Sequence, residues 1–261
     1  IHSFLSNLIS NNGYKVSISG SAADEIYTGY YDHYLLHLND CINDDNYSEH
    51  LKNWQKHVEP IIRNPRLKNI QLYKNNPENL DNINFDHGTL VYDQLFTKQN
   101  ITSKSKKFSK NFMKNRLLNE LFYETVPLFL DQDDLNSMYN SVENRSPYLD
   151  TDLVSFLFNV PNNYLIKNGY NKYILRMSME GILNDKIRLD REKKGFNASM
   201  HSLFNFKDRE LIDYILRDNY IFNLIPKPFF ENILKKDIFS DNENKLVFYA
   251  LNIKIFMENK I

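Results

Sequence analysis

Apolar residues recur at helical spacing along most of this chain, while a single stretch, residues 14–19, reads as a short buried strand. Phe4, Leu5, Leu8 and Ile9 form one stripe within a helix over 1–12. Ile26, Tyr30, Tyr34 and Leu38 form an i, i+4 ladder within a second helix, from about 24 to 39. Phe112, Leu117, Leu118, Leu121 and Phe122 mark another helical pattern inside 108–130. Residues 131–150 read as loop-rich, 151–158 and 171–183 as helices, and 200–261 as a helical tail broken by Pro226 and Pro228. One or two strands do not make a sheet that stands alone. The expected fold is therefore predominantly α-helical as it stands, its one or two strands completing a sheet that begins outside these residues.

The charge balance excludes several classes of partner. Across 261 residues, 32 Lys and Arg face 33 Asp and Glu, for a net charge of −1. No polyanion-binding surface is implied, so no nucleic acid is expected, and the run Lys104–Lys107 reads as a solvated loop. No apolar run reaches the length of a membrane span, and the N-terminus has no signal-peptide pattern. Cys41 is the sole cysteine, which rules out an intramolecular disulfide and a cysteine cluster for zinc or iron–sulfur. A reducing, cytoplasmic setting is the expectation. Residues 40–105 are polar and Asn-rich, with Pro60, Pro65 and Pro77 interrupting short helical patterns around Trp54 and Leu67–Tyr73, and read as a candidate variable insertion.

Three segments carry chemistry. In the first, Val16-Ser17-Ile18 leads through Ser19-Gly20-Ser21-Ala22 into a helix that opens with Asp24 and Glu25. A turn of small residues brings backbone N–H groups close to a ligand, and a helix N-terminus favours phosphate. Asp24 either supplies an oxygen ligand for the accompanying magnesium or only caps the helix. The second segment, Asp134 to Asp150, packs ionisable residues among apolar ones; its plain structural reading is a buried Glu143–Arg145–Asp150 network that fixes a loop. The third, Arg188 to Phe196, crowds cations around Gly195, as an exposed loop does; over a nucleotide, a lysine there would neutralise a pyrophosphate leaving group.

Together these segments resemble the C-terminal synthetase domain of the asparagine synthetase family. The family pattern S-G-E-G-A-D-E-x-x-x-G-Y is met by Ser19-Gly20, Asp24-Glu25 and Gly29-Tyr30. The pattern D-x-x-S-M-x-x-x-x-E-x-R-x-P-[FY]-L-D is met by Asp134, Ser137-Met138, Glu143, Arg145 and Pro147-Tyr148-Leu149-Asp150. R-x-K-K-G-F is met by Arg191, Lys193-Lys194-Gly195-Phe196, and the linker Tyr164 to Gly169 with Lys172-Tyr173 and Leu175-Arg176 is of the same kind. The resemblance implies the C-terminal part of an α/β adenine-nucleotide-hydrolase-like (HUP/PP-loop) domain. It implies that ATP activates a substrate carboxylate as an acyl-adenylate, which glutamine-derived ammonia converts to an amide. Ser19 and Gly20 would contact ATP, Asp24 would hold Mg2+ and Lys193 would contact the phosphates. Ser137, Glu143 and Arg145 are candidates for the substrate loop, as contacts or as braces.

Two departures bear on that reading. Ser21 stands where the family has Glu, and a hydroxyl is no general base at neutral pH. The acceptor is then different (a sugar acid or a peptide, for instance), the base comes from elsewhere, or the second step is lost. Ala22 replaces a glycine, a milder change that requires a backbone angle tolerable to a side chain. The family's S-G-G-x-D-S pyrophosphate loop and Cys-led glutaminase domain are expected upstream, yet only 18 residues precede Ser19. The chain is thus expected to be a fragment that needs those parts in cis or in trans. The rival expectation is a non-catalytic remnant or interaction module of the same fold.

Overall fold

The computed structural model describes residues 1–74, 77, 94–96, 105–195 and 198–259. Most of the candidate insertion from residue 75 onward, with Lys104, and the motif residue Phe196 lie outside the described residues. The chain divides into two compact units, Ile1–Leu80 with Lys104–Gly195 and Asp81–Ser103 with Phe196–Ile261. The fold is mostly helical with two short parallel strands, as the hydrophobic patterning requires.

The first unit opens with helix α1 (His2–Asn11) and strand β1 (Val16–Ile18), followed by α2 (Ala23–Tyr27) and α3 (Tyr31–Asp40). Then come α4 (Tyr47–His57), α5 (Gln71–Lys74), α6 (Phe112–Phe122), α7 (Val126–Tyr139) and strand β2 (Glu143–Arg145). Helices α8 (Thr151–Asn159), α9 (Asn162–Leu165), α10 (Tyr173–Ser178) and α11 (Asp185–Arg188) complete it. Ile26, Leu35, Trp54, Met113, Leu117 and Leu157 are buried at its core. Asp150 caps α8 by accepting the N–H groups of Asp152 and Leu153, as its position before the helix suggests.

Four expectations are corrected. The helix expected over 24–39 is two helices, because Thr28 takes φ +70° and Tyr30 is extended. The Thr28 hydroxyl is fully buried and donates toward the Tyr27 and Leu165 carbonyls, a tertiary constraint that overrides the apolar ladder. The pattern over 108–130 is likewise split: α6 ends where Glu124 and Thr125 N–H groups return to Asn119 and Glu120, and Pro127 begins α7. The loop-rich stretch at 131–150 is helical as far as Tyr139. Leu128, Leu135 and Met138 on α7 are all exposed, so no single apolar stripe announced that helix. Lastly, the strand is not buried. Val16 is 44% and Ile18 77% exposed, because among the described residues β1 pairs with β2 alone.

The strands are parallel, with Val16 opposite Glu143, Ser17 opposite Asn144 and Ile18 opposite Arg145. That register lays the second sequence motif beside the first. In the second unit, α12 (Met200–Leu203), α13 (Arg209–Leu216), α14 (Lys227–Leu234) and α15 (Asp241–Glu258) surround Ile215, Ile225, Phe230 and Val247. Ser240 and Glu243 form a capping box at the start of α15. No described helix is long and apolar enough to cross a membrane.

Candidate functional site

The turn after β1 sits at the C-terminal ends of two parallel strands, where open α/β sheets place their ligands. Ser19 N–H extends the ladder to the Arg145 carbonyl at 2.8 Å, and then the chain leaves the sheet. Gly20 is exposed, and no described atom comes within 4 Å of the position a Cβ would take there. Ser19 Oγ donates to Ser21 Oγ at 3.0 Å, and Ser21 Oγ donates to Asp133 Oδ2 at 3.0 Å. Asn144 Nδ2 donates to Ser19 Oγ at 3.3 Å, and Ser146 Oγ lies 3.3 Å from the same atom. Ala22, the N-cap of α2, has φ +69°. That is the left-handed region a glycine occupies freely, so the Gly-to-Ala departure here carries backbone strain.

Asp24 lies in the first turn of α2 with an ammonium group on each carboxylate oxygen: Lys172 on Oδ1 and Lys193 on Oδ2. The three side chains are 18%, 24% and 32% exposed, so the cluster is half-buried and open to solvent on one side. Burial alone would raise the Asp24 carboxyl, but Lys172 and Lys193 outweigh it and hold it below the usual carboxylate range. Gly29 is buried beneath this cluster, and a Cβ there would run into the Asp24 carboxylate. Lys172 has φ +52°, held by its N–H donating to Tyr27 O at 3.2 Å and Thr28 Oγ1 at 3.3 Å. Lys193 N–H donates to the Tyr31 hydroxyl at 3.4 Å, and its ammonium lies 4.7 Å from the Tyr30 ring centroid. Tyr30 in turn donates to Glu25 at 2.5 Å; burial raises the Glu25 carboxyl.

Behind the site lies a closed charge network. Glu120 accepts from Arg116 Nε at 2.9 Å and meets His33 Nε2 at 3.0 Å. Arg116 also donates to Glu124 at 2.6 Å and faces Asp32 at 3.5 Å. Gly29 N–H donates to His33 Nδ1 at 3.2 Å, which makes that nitrogen the acceptor and leaves the Nε2 proton for Glu120. The network therefore fixes the Gly29 turn on which Asp24 rests.

Of the residues singled out in the sequence, the fold brings Asp24 and Lys193 together, with Ser19 and Gly20 on the turn leading into the same helix. Ser137 is turned back into α7: its hydroxyl donates to Asp134 O at 3.2 Å and its carbonyl accepts Val142 N–H at 3.0 Å. Glu143 and Arg145 pair with each other at 2.9 Å, both well exposed. The buried Glu143–Arg145–Asp150 network is thus not formed. Strand alternation turns Asn144 toward Ser17 and Asp133, while Glu143 and Arg145 stay out in solvent. Two residues were not assigned from the sequence. Lys172 had a faint signal, its place in the family-like Lys172-Tyr173 linker; Asp133, just outside the Asp134 motif, had none.

A model of the asparagine synthase family matches residues 2–254. The chain belongs to the asparagine synthase family. Asparagine synthetase [glutamine-hydrolyzing] 3 of Bacillus subtilis (strain 168) is 29% identical over 192 residues, covering 72% of this chain and 27% of that protein. Asparagine synthetase [glutamine-hydrolyzing] 1 of the same organism is 25% identical over 151 residues, covering 52% of this chain and 24% of that protein. The aligned part therefore spans only about a quarter of each relative's length.

A single carboxylate with two ammonium partners is a poor cage for a bare divalent ion. It suits a metal–polyphosphate, whose oxygens take the lysines while the carboxylate turns to the metal.

Proposed function

We propose that this chain carries the C-terminal part of the synthetase site of a glutamine-dependent, asparagine-synthetase-like amidotransferase. The observation that supports this reading best is Asp24 held between Lys172 and Lys193 beside the exposed Ser19-Gly20 turn. A substrate carboxylate would attack the α-phosphorus of ATP, giving an acyl-adenylate and pyrophosphate. Ammonia, released from glutamine, would then displace AMP to give the amide. Ser19 and Gly20 would lie against the nucleotide, Gly20 with room for close approach. Lys172 and Lys193 would leave Asp24 for the phosphates and stabilise charge that develops on the departing pyrophosphate. Asp24 would hold magnesium, which neutralises that same leaving group. The pyrophosphate loop and glutaminase would be supplied by further residues in cis or by a partner chain.

Ser21 removes the family's carboxylate from the turn, yet a carboxylate is still there. Asp133 stands 3.0 Å from the Ser21 hydroxyl and is buried. We assign to it the role of the base from elsewhere, acting on the incoming amine or on an acceptor that differs from aspartate, such as a sugar acid or peptide. The test is pyrophosphate release and amide formation by the intact protein. Asp24→Asn and Lys193→Met should each lower pyrophosphate release by 10²-fold or more, a scale set by single electrostatic stabilisers. Asp133→Asn should spare pyrophosphate release and depress amide formation. Unchanged pyrophosphate release in Asp24→Asn would refute the site, whereas no release by the intact wild-type protein would favour the non-catalytic remnant.

A further inference from the structure

Away from this site, three side chains with metal-ligating atoms converge between α3 and α4. His37 and Cys41 stand four residues apart at the C-terminal end of α3, and therefore on one helix face; His50 approaches from α4. One nitrogen of each histidine and the Cys41 sulfur all lie within 4.8 Å of one another. His37 Nε2 and His50 Nδ1 are 3.3 Å apart, and their rings stand almost perpendicular at 87°. Two nitrogens bound tetrahedrally at a zinc distance of about 2.0–2.1 Å would be separated by roughly 3.3 Å, so the spacing needs no rearrangement.

A hydrogen bond between two neutral imidazoles accounts for one nitrogen of each ring and leaves the rest of the cluster unexplained. His37 is 3% exposed, and its Nδ1 is buried without a hydrogen-bond partner. Such an orphan is uncommon in a folded interior; it is the ring nitrogen that does not face His50, and with Nε2 on a metal it would carry the proton. A void of about 10 Å³ adjoins the two histidines, lined by His37, His50, Asn53, Trp54 and Lys167 among others, while Cys41 lies outside its lining. The surrounding charge is mixed. Lys167 acts on His50 from one side, while Asp44 acts on both His50 and Cys41 and Glu49 acts on His50.

The closed His33–Glu120 cluster makes the contrast. It too groups three ligand types with Asp32, but Arg116 and the Gly29 N–H already take its lone pairs. In the second cluster one ligand is a thiol. We propose that His37, Cys41 and His50 form a binding site for a borderline-soft divalent ion of the zinc type, pinning α3 to α4. Imidazole and thiolate together select zinc over magnesium or calcium. Three protein ligands leave the fourth tetrahedral position to water. In the unloaded protein the Cys41 S–H points to Leu38 O at 3.6 Å, so uptake of the ion forms a metal–sulfur bond and releases that proton to solvent.

The test uses the full chain with cobalt(II) and zinc(II) salts alone, in the absence of nucleotide, so that it stands apart from the ligase reading. The expected result is one cobalt per chain, with a thiolate-to-metal charge-transfer band and the intense visible bands of tetrahedral cobalt, both erased by zinc. Cys41→Ser should remove the charge-transfer band. His50→Gln, at a partly exposed position, should keep the fold by circular dichroism and weaken zinc binding by at least about tenfold. The proposal is overturned if the folded wild-type chain shows no charge-transfer band with cobalt. It is equally overturned if His50→Gln and Cys41→Ser bind zinc as tightly as wild type.

Discussion

Two charged clusters meet at the Gly29 turn, and they are built on opposite principles. Around Glu120 the central side chains are buried and each has a charged partner or a backbone donor: Arg116 is 7% exposed, His33 and Glu120 less, with Asp32 and Glu124 at the rim. Around Asp24 all three groups remain partly in solvent, one carboxylate faces two ammonium groups, and the neighbouring backbone at Ala22, Thr28 and Lys172 is held at positive φ. A saturated network has nothing left to offer a ligand, and its worth is in holding one conformation. A half-open cluster with one carboxylate and two ammonium groups has surplus positive charge, and strain stored beside it is the usual mark of a site kept ready. The same residue types are saturated in one place and half-open in the other.

Breaking the closed cluster should have the largest effect. Glu120→Ala leaves Arg116 and His33 buried without their shared partner, which costs about 3–5 kcal/mol when one member of a buried pair is removed. Urea unfolding of the variant against wild type measures this directly. A loss under 1 kcal/mol would mean that the network is wetter than its burial implies. Next in size is Gly29→Ala, which touches both clusters at once. Its methyl group meets the Asp24 side chain, and its N–H serves His33, so overpacking of about 1–3 kcal/mol is expected. Asp24 would be pushed from its lysines, and pyrophosphate release by the intact protein should fall with it. If stability drops while pyrophosphate release is kept, the placement of Asp24 over Gly29 is not what the chemistry uses.

This difference between the clusters was only half visible in the sequence. The open one was legible because its parts are close in sequence to motif residues: Ser19, Gly20, Asp24 and Lys193 could each be named. What could not be read was their arrangement. That Lys172 shares Asp24 with Lys193 depends on a lysine in left-handed conformation tied to Tyr27 and Thr28 from far along the chain. The closed cluster was not legible at all, since His33 and Glu120 are separated by 87 positions and neither stands in a recognisable pattern. Helix content followed from periodicity, but the helix breaks did not. Tyr30 continues an apolar ladder in sequence, and only the buried Thr28 hydroxyl and the Tyr30–Glu25 bond explain why the helix stops. The surface Glu143–Arg145 pair shows the opposite error, in which ionisable residues among apolar ones look buried until strand alternation sends them outward.

The smallest effect sharpens the comparison most, because neighbouring carboxylates at the open cluster should titrate in opposite senses. Asp24 is held below its ordinary range by Lys172 and Lys193, against its own burial. Its ion pairs therefore contribute stability above the unfolded carboxylate range near 3.9, and that contribution is lost as pH falls through the lower folded value. Glu25 is raised by burial, so the folded state keeps its proton longer than the unfolded one. Its contribution is full below the unfolded range and fades as pH rises through the raised folded value. Because the Asp24 cluster is partly in solvent, its share should be at most about 1 kcal/mol and should shrink in salt. Unfolding free energies between pH 3 and 7 separate the two. The deficit of Asp24→Asn relative to wild type should close toward acid pH, whereas Glu25→Gln should gain on wild type toward neutral pH. Parallel profiles would mean that the two carboxylates share one environment, and the open cluster would then be no different in kind from the closed one behind it.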